Sequence, residues 1–394
     1  MTGTELARVP FSVPWRATHS MIADALAAAG LPDADAARCA ELMTQADLTG
    51  ADGHGIFRLP QYVRRLKAGG FNKQPNITVS RTAPATAIVD GDNGMGHLVM
   101  SRAADEAIAI AREAGASWVG VRRSNHAGPA GLYAEMPAAQ GMIALYAAVA
   151  NANHMATWGG ADLLLGTNPL AIGVPTGDQP LIFDMATSIV AYGTVKKYAL
   201  RGLTMPEGWF VDAASGAPIT DPAKSAAGLL QPMGEYKGSG LALMIGLIAG
   251  VLNSAAFGRD VIDFNADDES ETNTGHFIAA VDIARFVPLQ AFTAEVDRHV
   301  RDLRHSRRLP GVDAIRLAGD RRAACRDERA RDGVPVPAPL LVQLDKLAAE
   351  LQIKPLRALN RTLPLSRALS GSFTQTFARC FAPAPSRSLC CCRF

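Results

Sequence analysis

Three of the eight histidines stand in short polar loops: Asp52-Gly53-His54-Gly55, Ser124-Asn125-His126-Ala127-Gly128 and Asn151-Ala152-Asn153-His154. Imidazole is the side chain that exchanges protons near neutral pH, so three such loops able to reach one cleft point to acid–base chemistry. A single loop histidine is more often a plain surface residue; the repetition shifts that balance. No pair has metal-ligand spacing, and Asp52 is the one carboxylate in these loops, which argues against a metal centre. In His54-Gly-Ile-Phe-Arg58-Leu-Pro-Gln-Tyr62, a helical turn puts His54, Arg58 and Tyr62 on one face. That pairing suits a small 2-oxo or 2-hydroxy acid. The guanidinium grips the carboxylate through two parallel hydrogen bonds, and the imidazole protonates the neighbouring carbonyl oxygen. On the residues alone, a helix-surface arginine weighs equally.

A second group ends an apolar stretch: Phe183-Asp184-Met185-Ala186-Thr187-Ser188. A buried Asp184 needs a partner; a histidine would serve, and so would a helix N-terminus capped by the same residue. Gly234-Glu-Tyr236-Lys237-Gly238-Ser-Gly240 could bring backbone close to a phosphate at a helix start, or simply form a tight turn. Walker-A, G-x-G-x-x-G, H-E-x-x-H and G-x-S-x-G patterns do not occur, which excludes P-loop, Rossmann, zincin and α/β-hydrolase readings.

The elements that must carry these residues are legible in outline. Residues 16–48 read as two helices and 58–70, stopped by Gly69-Gly70, as a third. Residues 85–93 read as a short strand with a turn, 117–126 and 141–154 as strands running into polar endings and 276–288 as a late strand, with an amphipathic helix from 101 that ends at Gly115. Residues 170–185 suggest a hairpin about Thr176-Gly177-Asp178, and strands ending in Ser-Asn-His and Asn-Ala-Asn-His would deliver polar side chains to one rim. Leu241–Leu252 is too short to span a bilayer, which takes about 20 residues, and reads as a buried helix. Acidic 259–275 reads as a mobile loop. The chain is 48% hydrophobic and 19% charged, enough for a large core, and 39 basic against 37 acidic residues is too balanced for a nucleic-acid binder. The first residues lack a secretory pattern, and two isolated body cysteines, Cys39 and Cys325, make no disulfide framework, so a cytoplasmic protein without membrane or nucleic-acid partners is expected.

Six ordered blocks together resemble the malate/L-lactate dehydrogenases of the non-Rossmann type: GADGHGIFRLPQYVRRLKAGG, VRRSNHAGPAGLYA, WGGADLLLGTNPLAIGVP, FDMATSIVAYGTV, LQPMGEYKGSGLALMI and RLAGDRR, spread over residues 15–352. Relatives of that family include ureidoglycolate, sulfolactate and diketogulonate enzymes and the piperideine/pyrroline-carboxylate reductases. The resemblance implies an α/β fold with a mixed, largely antiparallel sheet in the cofactor domain plus a helical N- and C-terminal part. It implies hydride transfer between NAD or NADP and a small 2-hydroxy or 2-oxo acid, in a homodimer. Carried over by position, His54 is the expected proton donor with Asp184 as its orienting carboxylate, and Arg58 and Thr167 hold the substrate; Tyr62 joins them as a substrate-binding residue through its spacing from His54 and Arg58. His126 is the alternative acid–base and, with Ser124, part of the cofactor loop. Phe183, Asp184, Met185, Ala186, Thr187, Ser188, Ile189, Tyr236, Lys237, Gly319 and Asp320 match the other cofactor contacts.

The expected organisation is a helical part over 1–85 bearing His54 and Arg58, an α/β cofactor- and substrate-binding part over 86–290, a helical part over 291–355 packing on the first, and an atypical tail over 356–394. That tail holds six arginines, four cysteines and no acid, leaving 33 basic against 37 acidic residues in the body, and is expected to be poorly ordered. One departure falls at the site: where the family has Ser-His-Gly, this chain has Gly53-His54-Gly55. A cyclic imino acid or ureidoglycolate-type substrate, or a cofactor-binding member with impaired catalysis, are the alternatives.

Overall fold

The computed structural model describes residues 11–362. Strand β1 (Phe11–Val13) leads into helices α1 (Trp15–Ala28) and α2 (Asp33–Leu48). Each helix starts directly after a proline, Pro14 or Pro32, and Asp33 and Asp35 place negative charge at the first turn of α2, where the helix dipole favours it. Two single 3₁₀ turns, Asp52–His54 and Ile56–Arg58, then feed α3 (Leu59–Ala68), which stops at Gly69 in the left-handed region (φ 96°).

The centre is built from β2 (Thr78–Ala83), β3 (Thr86–Asp90), α4 (Gly96–Ala114), β4 (Ala116–Ser124), α5 (Gly131–Ala138), β5 (Met142–Ala148), the short pair β6 (Asn153–Met155) and β7 (Leu165–Gly166), and the hairpin β8 (Leu170–Val174) and β9 (Leu181–Met185). Beyond it come α6 (Tyr192–Arg201), the small pair β10 (Phe210–Asp212) and β11 (Gly228–Leu230), α7 (Tyr236–Ile245) and β12 (Thr274–Asp282). The chain continues through α8 (Leu289–His305), α9 (Asp320–Asp332), β13 (Val334–Val336), α10 (Ala338–Leu351) and α11 (Leu356–Thr362).

Seven strands form one sheet in the order β2-β3-β4-β12-β5-β8-β9, antiparallel at every step except β3–β4. Strand alternation sorts its two faces. Val119, Val121, Tyr146 and Ile278 face α4 and α5, whereas Leu145, Ala147 and Phe277 face the helical run after Tyr236, where the Trp118 and Phe277 rings stack at 4.5 Å. A second core joins α1, α2 and α3 to α10 and α11, and β1 pairs with β13, tying the two ends of the described chain together.

Four expectations change. Residues 78–83, expected within the helical part, form the sheet's edge strand; being exposed on nearly every residue, they show no apolar alternation in sequence. The apolar run 241–252 belongs to a longer one, Tyr236–Asn253, that passes through a π turn and is only half covered: Met244, Val251 and Leu252 are at least half exposed. Its Gly246 lies so close to the Phe257 ring that a β-carbon would come within 2.0 Å, so one face is pressed on the body while the other stays open. Loop 259–275 is pinned, because the buried Arg65 guanidinium donates to Ser270 O (2.7 Å) and Gly70 O (3.2 Å) and sits 4.5 Å from the Phe264 ring. Finally, the tail's first residues are helical, with Leu356 and Leu359 buried in the second core; 363–394 lie outside the described residues.

Candidate active site

A cleft of about 350 Å³ opens where the His54 loop, the loops after β4 and β5, the end of β9 and the start of α6 converge. His54, His126 and His154 all line it, so the three polar loops do share one rim. His54 Nδ1 lies 3.2 Å from His126 Nε2, with ring planes 5° apart, and His126 Nδ1 lies 2.5 Å from the Tyr62 hydroxyl. The Gly128 N–H also points at His126 Nδ1 (3.4 Å), which makes that nitrogen an acceptor. The Tyr62 hydroxyl therefore donates to Nδ1, His126 carries its proton on Nε2 and donates to His54 Nδ1, and His54 is left with an N–H on Nε2. Burial, with the Arg58 charge second, brings His54 down to about 3, and the same causes hold His126 well below the usual histidine range. Both rings are neutral at physiological pH.

Arg58 stands at the same mouth. Its Nε donates to Gly53 O (3.0 Å), and its Nη1 donates to Gln61 Oε1 (2.6 Å) and Asn265 Oδ1 (3.3 Å), which leaves Nη2 without a partner among the described residues. Thr167 lines the opposite wall, its carbonyl taken by the Thr187 N–H (2.9 Å) and hydroxyl (3.1 Å). Below the loop, the fully buried Asp47 carboxylate accepts from Ile56 N (2.9 Å), and a β-carbon on Gly55 would come within 1.9 Å of it, so only glycine fits there. Burial raises Asp47 to about 8. Asp52 is clamped by Lys197 of α6 (2.6 Å) and Arg329 of α9, and these two cations hold its carboxyl below the usual range despite burial. Gly53 faces open space: a β-carbon there would meet nothing nearer than Gly193 Cα at 3.6 Å.

Two of the expected residues have partners other than those expected. Asp184 makes no hydrogen bond to His54; its Oδ2 accepts from Gly131 N (2.8 Å) at the start of α5. A helix N-terminus offers unpaired N–H groups and a positive dipole end, so it takes the strand-end carboxylate before a histidine across the cleft can. Tyr62 does not reach the cleft wall: it is completely buried, and its hydroxyl serves His126. Of the other expected contacts, Asp184, Met185 and Ala186 line the cleft, while Phe183 and Ile189 are exposed beside it. Thr187 and Ser188 are buried, and Ser124 is buried against His276 Nε2 (3.1 Å). Tyr236 is exposed at the N-terminus of α7, next to Lys237, and Gly238 packs so close to Thr187 O that a β-carbon would lie 2.6 Å away. Gly319 precedes α9 and Asp320 begins it, neither lining the cleft, with Asp320 accepting from Leu317 N (2.8 Å) and pairing with Arg304 (2.7 Å).

Sequence reasoning missed His276, Asn265, Lys197 and Arg329. Arg329 is 277 residues from its partner Asp52, a separation at which no local pattern exists.

The malate/L-lactate dehydrogenase family profile matches residues 13–345. The chain belongs to that family. A malate dehydrogenase of Pyrococcus abyssi is 33% identical over 87% of this chain and 95% of its own length. The ureidoglycolate dehydrogenase (NAD(+)) of Escherichia coli O157:H7 is 32% identical over 81% and 90%, and the (2R)-3-sulfolactate dehydrogenase (NADP(+)) of Chromohalobacter salexigens 33% over 84% and 96%. The malate dehydrogenase structure from Pyrococcus horikoshii OT3 superposes with a TM-score of 0.81 at 31% identity, covering 88% of this chain and 97% of that one. The enzyme is thus an oxidoreductase of the 2-hydroxy acid dehydrogenase type, with the mixed sheet expected of it, and a nicotinamide cofactor accords with the relatives' names.

Proposed function

We propose that this enzyme transfers a hydride between NAD or NADP and a small 2-hydroxy/2-oxo acid bound in the His54 cleft. The observation that carries the reading is the convergence of a neutral, hydrogen-bonded His54–His126–Tyr62 chain with the unfilled Nη2 of Arg58. In the reductive direction the substrate carboxylate pairs with Arg58, assisted by the Thr167 hydroxyl, and the carbonyl oxygen accepts from His54 Nε2. Pairing also cancels the Arg58 charge that helps keep His54 unprotonated, so in the substrate complex His54 takes up a second proton on Nδ1, with His126 shifting its own proton to Nδ1 where the Tyr62 oxygen accepts it. Giving the Nε2 proton to the alkoxide formed by hydride transfer then returns His54 to its neutral state. His126 and Tyr62 hold the ring orientation and tautomer. Because His54 is held by His126, the missing hydroxyl at Gly53 leaves this chain intact, which favours an active enzyme over an impaired one.

The strip formed by Asp184–Ile189 and Tyr236–Lys237 fits an extended cofactor: it is continuous with the cleft, joined by Gly238 packed on Thr187, and exposes Ile189 and Tyr236 as apolar walls. A bound nicotinamide supplies or accepts the hydride there. Asp184, fixed by Gly131, shapes the inner end of the strip. We assign a homodimer on the half-open face of Tyr236–Asn253 and on α8, which has no buried residue and starts beside exposed Phe286 and Val287. The free Cys39 and Cys325 suit a reducing, cytoplasmic setting. The test is a panel of 2-oxo acids and cyclic imino acids with NADH and NADPH, read by loss of nicotinamide absorbance. Turnover of a 2-oxo acid that is abolished in His54→Ala is expected; no turnover of any 2-oxo acid refutes the reading.

A further inference from the structure

Lys196, in the second turn of α6, donates from Nζ to Asn265 Oδ1 (3.1 Å), the oxygen that Arg58 Nη1 reaches from the other side (3.3 Å). Two cations thus flank one neutral amide oxygen at the mouth of the cleft. Such an arrangement costs energy through like-charge repulsion unless something anionic joins it. Within the described residues nothing does: neither Lys196 nor Arg58 forms an ion pair, whereas the adjacent Lys197 is neutralised by Asp52 at 2.6 Å. The carboxylate whose charge acts on Lys196, Asp263, spends its Oδ1 on Asn265 N (2.8 Å) and Nδ2 (3.0 Å). The remaining groups around Lys196 are the Tyr192 ring, centred 5.6 Å from Nζ, and His154, stacked on Tyr192 at 3.9 Å and kept neutral by burial.

We propose that Lys196 binds a second anionic group at the far end of the substrate, so the preferred 2-oxo acids are dianions, with the C1 carboxylate on Arg58 and the distal anion on Lys196. The assignment rests on the reading of Arg58 as the carboxylate clamp. It accounts for the placement of a second unpaired cation beside the first: a dianion neutralises both, whereas a monoanion leaves Lys196 facing Arg58 uncompensated. Burial and the Arg58 charge bring Lys196 down to about 8, against the pull of Asp263, so its charge is lost as pH rises through that value.

Three substrates separate charge from length: oxaloacetate, 2-oxobutanoate of the same carbon count without the distal charge, and pyruvate. Lys196→Met is expected to raise KM for oxaloacetate by about tenfold or more, the worth of one charge-assisted hydrogen bond, and to move the other two by less than about twofold. Lys196→Arg should restore the oxaloacetate KM. In the unmodified enzyme KM for oxaloacetate should climb above pH 8 while that for pyruvate stays level. Equal changes for all three substrates in Lys196→Met, or an enzyme that prefers 2-oxobutanoate, would overturn the assignment. The two readings fail separately. A pyruvate KM untouched by Arg58→Lys removes the clamp and this proposal with it, whereas an Arg58-dependent enzyme indifferent to Lys196→Met loses only the distal site.

Discussion

Tyr62→Phe separates two roles for one residue. The expectation from spacing puts Tyr62 on the substrate; the structure puts its hydroxyl on His126 Nδ1, completely buried. The substitution keeps the ring, with its edge-on contacts to Phe71, His97 and Phe264, and removes only the donor. His126 Nδ1 then retains the long Gly128 contact at 3.4 Å and little else. Leaving a buried acceptor short of its donor costs about 1–3 kcal/mol. That cost falls on the tautomer that presents the His54 Nε2–H, so the competent arrangement should drop by roughly 5- to 150-fold, each 1.4 kcal/mol being a factor of ten. Steady-state kinetics on the best 2-oxo acid should show kcat lowered by that range with KM nearly unchanged, because Arg58 and Thr167 are untouched. Cofactor affinity, measured by fluorescence titration of NADH or NADPH, should hold as well. A raised KM at full kcat would refute the positioning role and return Tyr62 to the substrate.

Gly53→Ser should fold normally, since the nearest atom to a new β-carbon is 3.6 Å away and the backbone there is outside the left-handed region; turnover on small 2-oxo acids should shift by less than about tenfold, one hydrogen bond being worth about 0.5–1.5 kcal/mol. Complete inactivation would show that the space is used by substrate. Leu356→Ala, at a fully buried core position, should cost about 2–5 kcal/mol by denaturant unfolding, so a chain cut after Pro355 should be markedly less stable than the full one; an unchanged midpoint would put α11 outside the cooperative core. In acid, three buried histidines, His54, His97 and His276, each brought down to about 3, are neutral when folded but protonated when unfolded between that value and 6.5. Their contribution is full above pH 6.5 and is lost as pH falls towards 3. Asp47, raised to about 8, works the opposite way, its protonated form favouring the fold until pH climbs from 3.8 to about 8. Melting temperature should therefore rise from pH 4 to 6.5, and more steeply in Asp47→Asn; a flat profile in both proteins would contradict the assigned charges.

Short-range chemistry is legible in the sequence alone. His54 and Arg58 are four residues apart in one loop, and the strand-end histidines announce themselves because a polar Ser-Asn-His after an apolar run has to emerge at a sheet rim. The helix boundaries at Pro14, Pro32 and Gly69 are likewise local events, governed by what one residue does to its own backbone. Pairing is a different matter. Which carboxylate meets which partner depended on α5 ending its N-terminal turn beside β9, so Asp184 went to Gly131 rather than to His54. Tyr62 turned inward because the helix that carries it packs its apolar face, and the hydroxyl had to find an acceptor in the interior, where His126 arrives from 64 residues away. Arg329 on Asp52, and Asn265 between Arg58 and Lys196, close over 277 and 207 residues. Such contacts are set by how layers stack and loops are pinned, here by Arg65 gripping the 264–270 turn, and a linear pattern carries no trace of them because the energies that select them are summed over the whole packed core.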